Sequence, residues 1–103
     1  MTNHTNIVKL ITEGIQDRKG KGISIVDLSS IDGAAAQQFI ICQGSSTMQV
    51  ASIADSVREK LQNEAGIKPY NYDGYQNSQW IVIDYGDTFV HVFLPETRQY
   101  YNL

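Results

Sequence analysis

Apolar side chains recur at Ile7, Val8, Leu10, Ile11 and Ile15 in the stretch from Thr5 to Arg18. Spacings of three and four put most of them on one helical stripe. Thr5 or Asn6 is a candidate cap, and the Gly20/Gly22 pair stops the helix. The period then changes. Ile23 to Leu28 is rich in β-branched residues and predicts a strand. A polar loop follows, Ser29 to Gln37. Gln38 to Cys42 predicts a second strand, apolar enough for the interior of a sheet. The two make a hairpin if the loop folds back.

Gly44-Ser45-Ser46 turns the chain into a long helix, for which Ser45, Ser46 and Thr47 are all suitable caps. Met48, Val50, Ile53, Ala54, Val57 and Leu61 form its buried stripe. Arg58, Glu59 and Lys60 face water, and Gly66 ends the helix. Lys68 to Tyr72 predicts a strand opened by a proline, and Asp73-Gly74 a turn. Trp80 to Tyr85 is the strongest strand pattern. Gly86-Asp87 reverses it, and Thr88 to Leu94 pairs back as a hairpin. Pro95 breaks that strand and opens a short helix over Glu96 to Tyr101. The order α-β-β-α-β-β-β-α predicts an α/β fold, a single mixed β-sheet of about five strands flanked by helices. At 103 residues the chain has room for one core, so residues 1–103 are expected to form a single domain.

Charge narrows the choice of partner. The net charge is −3, and the only basic cluster is Arg18, Lys19 and Lys21 beside two glycines. Phosphate-backbone binding needs clustered Lys and Arg, so direct sequence-specific nucleic-acid binding is not expected. An acidic domain is instead suited to a basic protein surface. One cysteine, Cys42, excludes an internal disulfide and a cysteine-built zinc site. It lies in the apolar run Phe39-Ile40-Ile41-Cys42 and reads as a buried, inert thiol. There is no signal-peptide pattern and no apolar run of the ~18 residues a membrane span needs. The expectation is a soluble, intracellular protein without membrane contact.

Two features carry candidate chemistry. Gly44-Ser45, between a strand and a helix, has the shape of a phosphate cradle. A nucleotidyltransferase would add an Asp-x-Asp to hold metal ions. The chain has only Asp84 and Asp87, three apart across a turn, and no Gly-Lys-Ser, so a capped helix entry is the simpler reading. His91 sits on an alternating strand with Asp87, Phe89 and Phe93. A structural histidine satisfied by Asp84 or Asp87 outweighs a catalytic one, since no nucleophile signature accompanies it. His4 belongs to a terminal tail and offers no metal site. Trp80, Tyr85, Phe89, Phe93, Tyr100 and Tyr101 crowd the last quarter. Aromatics in excess of what the helices cover would form a docking surface.

The segment Trp80-Ile-Val-Ile-Asp84-Tyr85-Gly86-Asp87-Thr-Phe-Val-His91-Val-Phe resembles the ribosomal silencing factor family, also called the Iojap family. Phe39-Ile-Ile-Cys-Gln-Gly44-Ser45-Ser46 upstream, Gln49-Val50 and Ile53-Ala54-Asp55 in the helix, and Arg98 with Tyr100-Tyr101-Asn-Leu in the tail extend the match from about Ile7 to Leu103. There are two departures: Gln37-Gln38 stand where the family often has an aspartate, and the chain stops at Leu103 where members usually continue. Contacts made by that further segment are expected to be missing. The resemblance implies a nucleotidyltransferase-like fold without catalytic carboxylates, no enzymatic activity and no cofactor. It implies a cytoplasmic protein that binds the large ribosomal subunit through the ribosomal protein conventionally numbered fourteen, on the face that meets the small subunit. Subunit association is then blocked sterically and translation repressed. It also permits a homodimer when the protein is free. By similarity Trp80 and Tyr85 are the first contact residues, with Asp84, Asp87 and His91 supplying polar contacts or fixing the hairpin. Trp80 and Tyr85 are five apart, however, and a regular strand points them to opposite faces.

Overall fold

The computed structural model describes residues 4–34 and 36–102. Its elements run α1 (His4–Asp17), β1 (Lys21–Asp27), β2 (Gln38–Gln43), α2 (Thr47–Ala65), β3 (Asn71–Asp73), β4 (Trp80–Asp84), β5 (Thr88–Phe93) and α3 (Pro95–Tyr100), in the predicted order. The strands form one five-stranded sheet in the order β1-β2-β5-β4-β3. β1–β2, β4–β5 and β3–β4 are antiparallel. β2 and β5 run parallel, Gln38 opposite Thr88 through Gln43 opposite Phe93. A parallel pair needs a long crossover, which the chain between β2 and β5 supplies with α2, β3 and β4.

α1 and α2 lie together on one face. Ile11, Ile15, Val50, Ile53, Val57 and Leu61 meet Ile40, Cys42, Ile81, Ile83, Val90 and Val92 from alternate strand positions in one core. The helices touch at backbone level. A Cβ on Gly14 would sit 3.0 Å from the Val57 Cα, and the Ser56 hydroxyl donates to the Gly14 carbonyl at 2.8 Å. Gly14, a poor helix former, is therefore what lets α1 seat on α2.

α2 is capped at both ends by the residue types expected. Ser46 Oγ accepts the Gln49 N–H, and Gly66 takes φ 65 with its N–H donating to the Gln62 carbonyl. α3 opens on Pro95 at its first turn.

Several local expectations are corrected. Thr5 and Asn6 fall inside α1, so neither caps it, and His4 opens the helix rather than lying on a tail. Met48 is 82% exposed; it is about 200° around the helix from Val50, on the far side from the sheet. Arg58 faces water only in part, its side chain 31% exposed. Its guanidinium lies 3.8 Å from the centre of the Tyr72 ring, and its Nη1 donates to the Tyr75 hydroxyl. β3 is shorter than predicted and begins after Pro69, which has no N–H for a ladder.

A candidate docking face on the sheet

Strand alternation gives the sheet a second face. On β5 it carries Phe89, His91 and Phe93, and on β4 Trp80, Val82 and Asp84. The parallel register adds Phe39, Ile41 and Gln43 from β2, and β1 adds Val26 opposite Phe39. None of these residues belongs to the core under α1 and α2. Phe39, Val82 and Phe89 are half-buried, while His91 and Ile41 are buried among their neighbours.

Rings knit the middle of this face. Phe39 meets His91 edge-on at 4.6 Å and Phe89 at 6.0 Å. Trp80 stacks on Phe93 at 5.0 Å. One end alone is covered. Tyr101, just past α3, lies 5.0 Å from Trp80, and Arg98 Nη1 donates to the Gly22 carbonyl at 2.6 Å and to Gln43 Oε1 at 3.1 Å. Among the described residues no helix crosses the centre. A sheet face built from aromatic and aliphatic side chains and left uncovered is a docking surface in form. Asp84, at the end of β4, and Asp73, on the edge strand β3, give it an acidic margin.

The predicted contact residues separate. Trp80 lies on this face, half-buried at the end that Tyr101 covers. Tyr85 does not: it is 8% exposed and belongs to the core beneath the helices. The five-residue offset sends it through the sheet, and no bulge at Gly86 brings it back, so Tyr85 is corrected from a contact to a core residue. Burial pushes its phenol up to about 12, and its hydroxyl has no hydrogen-bond partner. Asp84 shares a face with Trp80, and its Oδ1 accepts the Gly86 N–H at 2.7 Å, which shapes the turn. The Asp87 carbonyl accepts the Gln37 and Gln38 N–H groups at 2.8 and 3.2 Å, tying β2 to the start of β5.

His91 is satisfied by neither aspartate. Its Nδ1 accepts the indole N–H of Trp80 at 3.1 Å. Trp80 pairs with Phe93 and Val82 with His91, so Trp80 and His91 are diagonal neighbours, whereas Asp84 sits opposite Phe89. Desolvation lowers the imidazole from its ordinary range to about 4.

Gly44-Ser45 and Asp84/Asp87 do not form one site. The Gly44 N–H donates to the Phe93 carbonyl, at the far end of β5 from Asp87. Five strand steps separate those ends by about 17 Å. The cleft of about 540 Å³ beside Gly44 is lined by Lys19, Lys21, Gln43, Ser45 and Gln49. Its phosphate-facing donors are engaged, since the Ser45 N–H and Oγ both donate to Gln49 Oε1 at 2.6 and 2.8 Å. Cys42 is fully buried, its thiol pushed up to about 12 by desolvation. Among the described residues no group of three or more His, Cys, Asp or Glu could hold a metal ion, and no helix is long and apolar enough to cross a membrane.

Phe39, Ile41 and Val82 were not anticipated as members of this face, because each reads as an ordinary strand residue until β2 is placed beside β5. Their only signal is the strand parity they share with His91 and Trp80.

The family model described as ribosomal silencing factor during starvation matches residues 2–103. A ribosomal silencing factor RsfS of Chromobacterium violaceum is 39% identical over 97 residues, 94% of this chain and 78% of that protein. The protein of the same name from Bacillus subtilis is 34% identical over 101 residues, 98% of this chain and 84% of its own length. A crystal structure of a Chromobacterium violaceum protein superposes with a TM-score of 0.91 at 38% identity, covering 98% of this chain and 82% of that one.

Proposed function

We propose that this chain, which belongs to the RsfS family of ribosomal silencing factors, represses translation by docking its open sheet face on a basic protein of the large ribosomal subunit. The docked domain occupies the surface that meets the small subunit and keeps the two subunits apart by its bulk. The observation that supports this reading most directly is the uncovered aromatic face of β2, β5 and β4, with Trp80 at one end and Asp84 at its margin.

The chemistry suits such a partner. Aromatic rings supply contact area at small entropic cost. The acidic margin and the net charge of −3 speed encounter with a basic surface and set its orientation. Trp80 makes apolar contact, Asp84 meets a basic side chain, Asp87 holds the hairpin in shape, and Tyr85 supports the strand from within. No covalent chemistry is required, because the block is steric.

Co-sedimentation with purified large subunits, followed by addition of small subunits, tests the proposal. The chain should pellet with large subunits and reduce the formation of whole ribosomes. Trp80→Ala should weaken binding by about thirtyfold, the ~2 kcal/mol of a well-packed interface aromatic, while the domain stays folded. Failure to pellet with large subunits, or unhindered joining at saturation, would refute it.

A further inference from the structure

We infer that His91 is the positioning residue of this face: its Nδ1 accepts the indole N–H of Trp80 and holds that ring in one orientation against Phe93 and beside Tyr101, so that a docking partner meets only carbon atoms of the indole. This rests on the docking function proposed above and specifies how its tryptophan is presented.

Trp80 has a single polar atom. That atom, Nε1, lies 3.1 Å from Nδ1 of His91 and is used up there. The indole stacks on Phe93 with 24° between the planes, and Tyr101 lies 5.0 Å away at 50°. A tryptophan standing alone on a strand would exchange rotamers and lose that freedom on docking. Here three neighbours have already removed it, which is preorganisation in the strict sense.

The bond also determines the state of the histidine. A donor aimed at Nδ1 requires a lone pair there, so the imidazole is neutral and carries its proton on Nε2. That nitrogen is buried and has no hydrogen-bond partner. The ring is only 8% exposed, edge-on to Phe39 and within 13° of parallel to Phe93. A partner cannot reach it without moving those rings. His91 therefore acts through Trp80 and not by touching the partner; of the two roles the resemblance implied, a polar contact or fixing the hairpin, this is nearer the second. The partner's complementary surface needs an apolar wall for Trp80 and no acceptor for its N–H.

Trp80 is the only tryptophan, so its emission and its one indole resonance report on it alone. In uniformly 15N-labelled protein a scalar coupling across the N–H···N bond should join Trp80 Nε1 to His91 Nδ1, and the indole proton should exchange slowly. No coupling together with a rapidly exchanging indole proton would overturn the inference. His91→Leu should fold, lower the emission anisotropy of Trp80 and weaken large-subunit binding about tenfold. His91→Asn, which retains an acceptor near the Nδ1 position, should recover most of both. Wild-type affinity in His91→Leu, or weaker binding with unchanged Trp80 anisotropy, would sink the positioning role. If His91→Leu does not fold, the coupling and the behaviour of His91→Asn decide. Wild-type binding by Trp80→Ala would instead defeat the docking role of Trp80 itself, so the two failures are separable.

Discussion

Trp80 and Tyr85 show how much one strand position decides. Both are large aromatics in the same segment, yet one lies on the open face and the other is sealed under the helices. Tyr85→Phe removes a buried hydroxyl that has no partner. It should leave large-subunit affinity unchanged and shift stability by less than about 1 kcal/mol, as denaturant melts would show; a large loss of affinity would return Tyr85 to the contact set. His91 makes a pH prediction. Its folded value, about 4, lies below the ordinary 6.5, with desolvation the only cause. Between those values the unfolded chain binds the proton and the folded one does not. The contribution is fully present above about pH 6.5, falls as the pH drops towards 4 and is lost below it, amounting to at most ~3 kcal/mol. Urea melts across that range should show the slope in the wild type and a flatter profile in His91→Phe.

At the scale of elements, the α1–α2 contact carries the strictest geometric demand. Gly14 faces Val57 backbone and not a flexible side-chain end, so an added methyl must part the helices. Gly14→Ala should destabilise the domain by about 1–3 kcal/mol despite the better helix propensity of alanine. A melt as stable as wild type would show that α1 shifts freely on α2. The turn before β4 is equally constrained, for Gly74 has φ 103 and a Cβ there would come 2.1 Å from the Trp80 carbonyl. That turn packs directly against the Trp80 backbone at the start of β4.

For the whole molecule, the uneven covering of the sheet matters most. Both long helices protect one face, and the other leaves Phe39, Phe89 and Trp80 partly exposed. A second copy of the chain offers the same apolar surface, so self-association should compete with the ribosome. Light scattering over a dilution series should show a mass that falls with concentration and loses that dependence in Trp80→Ala; a constant monomer mass would exclude the dimer.

Periodicity was enough to foresee the order of elements, the β4–β5 hairpin, the cap at Gly66, a hydroxyl cap among Ser45, Ser46 and Thr47, and the inward thiol of Cys42, because each depends on residues within a few positions of one another. Alternation even showed that Trp80 and Tyr85 diverge. The aromatic face of the sheet was not legible in the same way. It exists because β2 lies parallel to β5, which brings Phe39 and Ile41 beside Phe89 and His91 across some fifty residues of chain. The Trp80–His91 bond likewise depends on cross-strand register, and the seating of Gly14 on Val57 on which helix meets which. Local pattern states which side of an element is apolar; only the packed chain determines which of those sides remain open to a partner, since burial depends on the neighbours that the fold supplies.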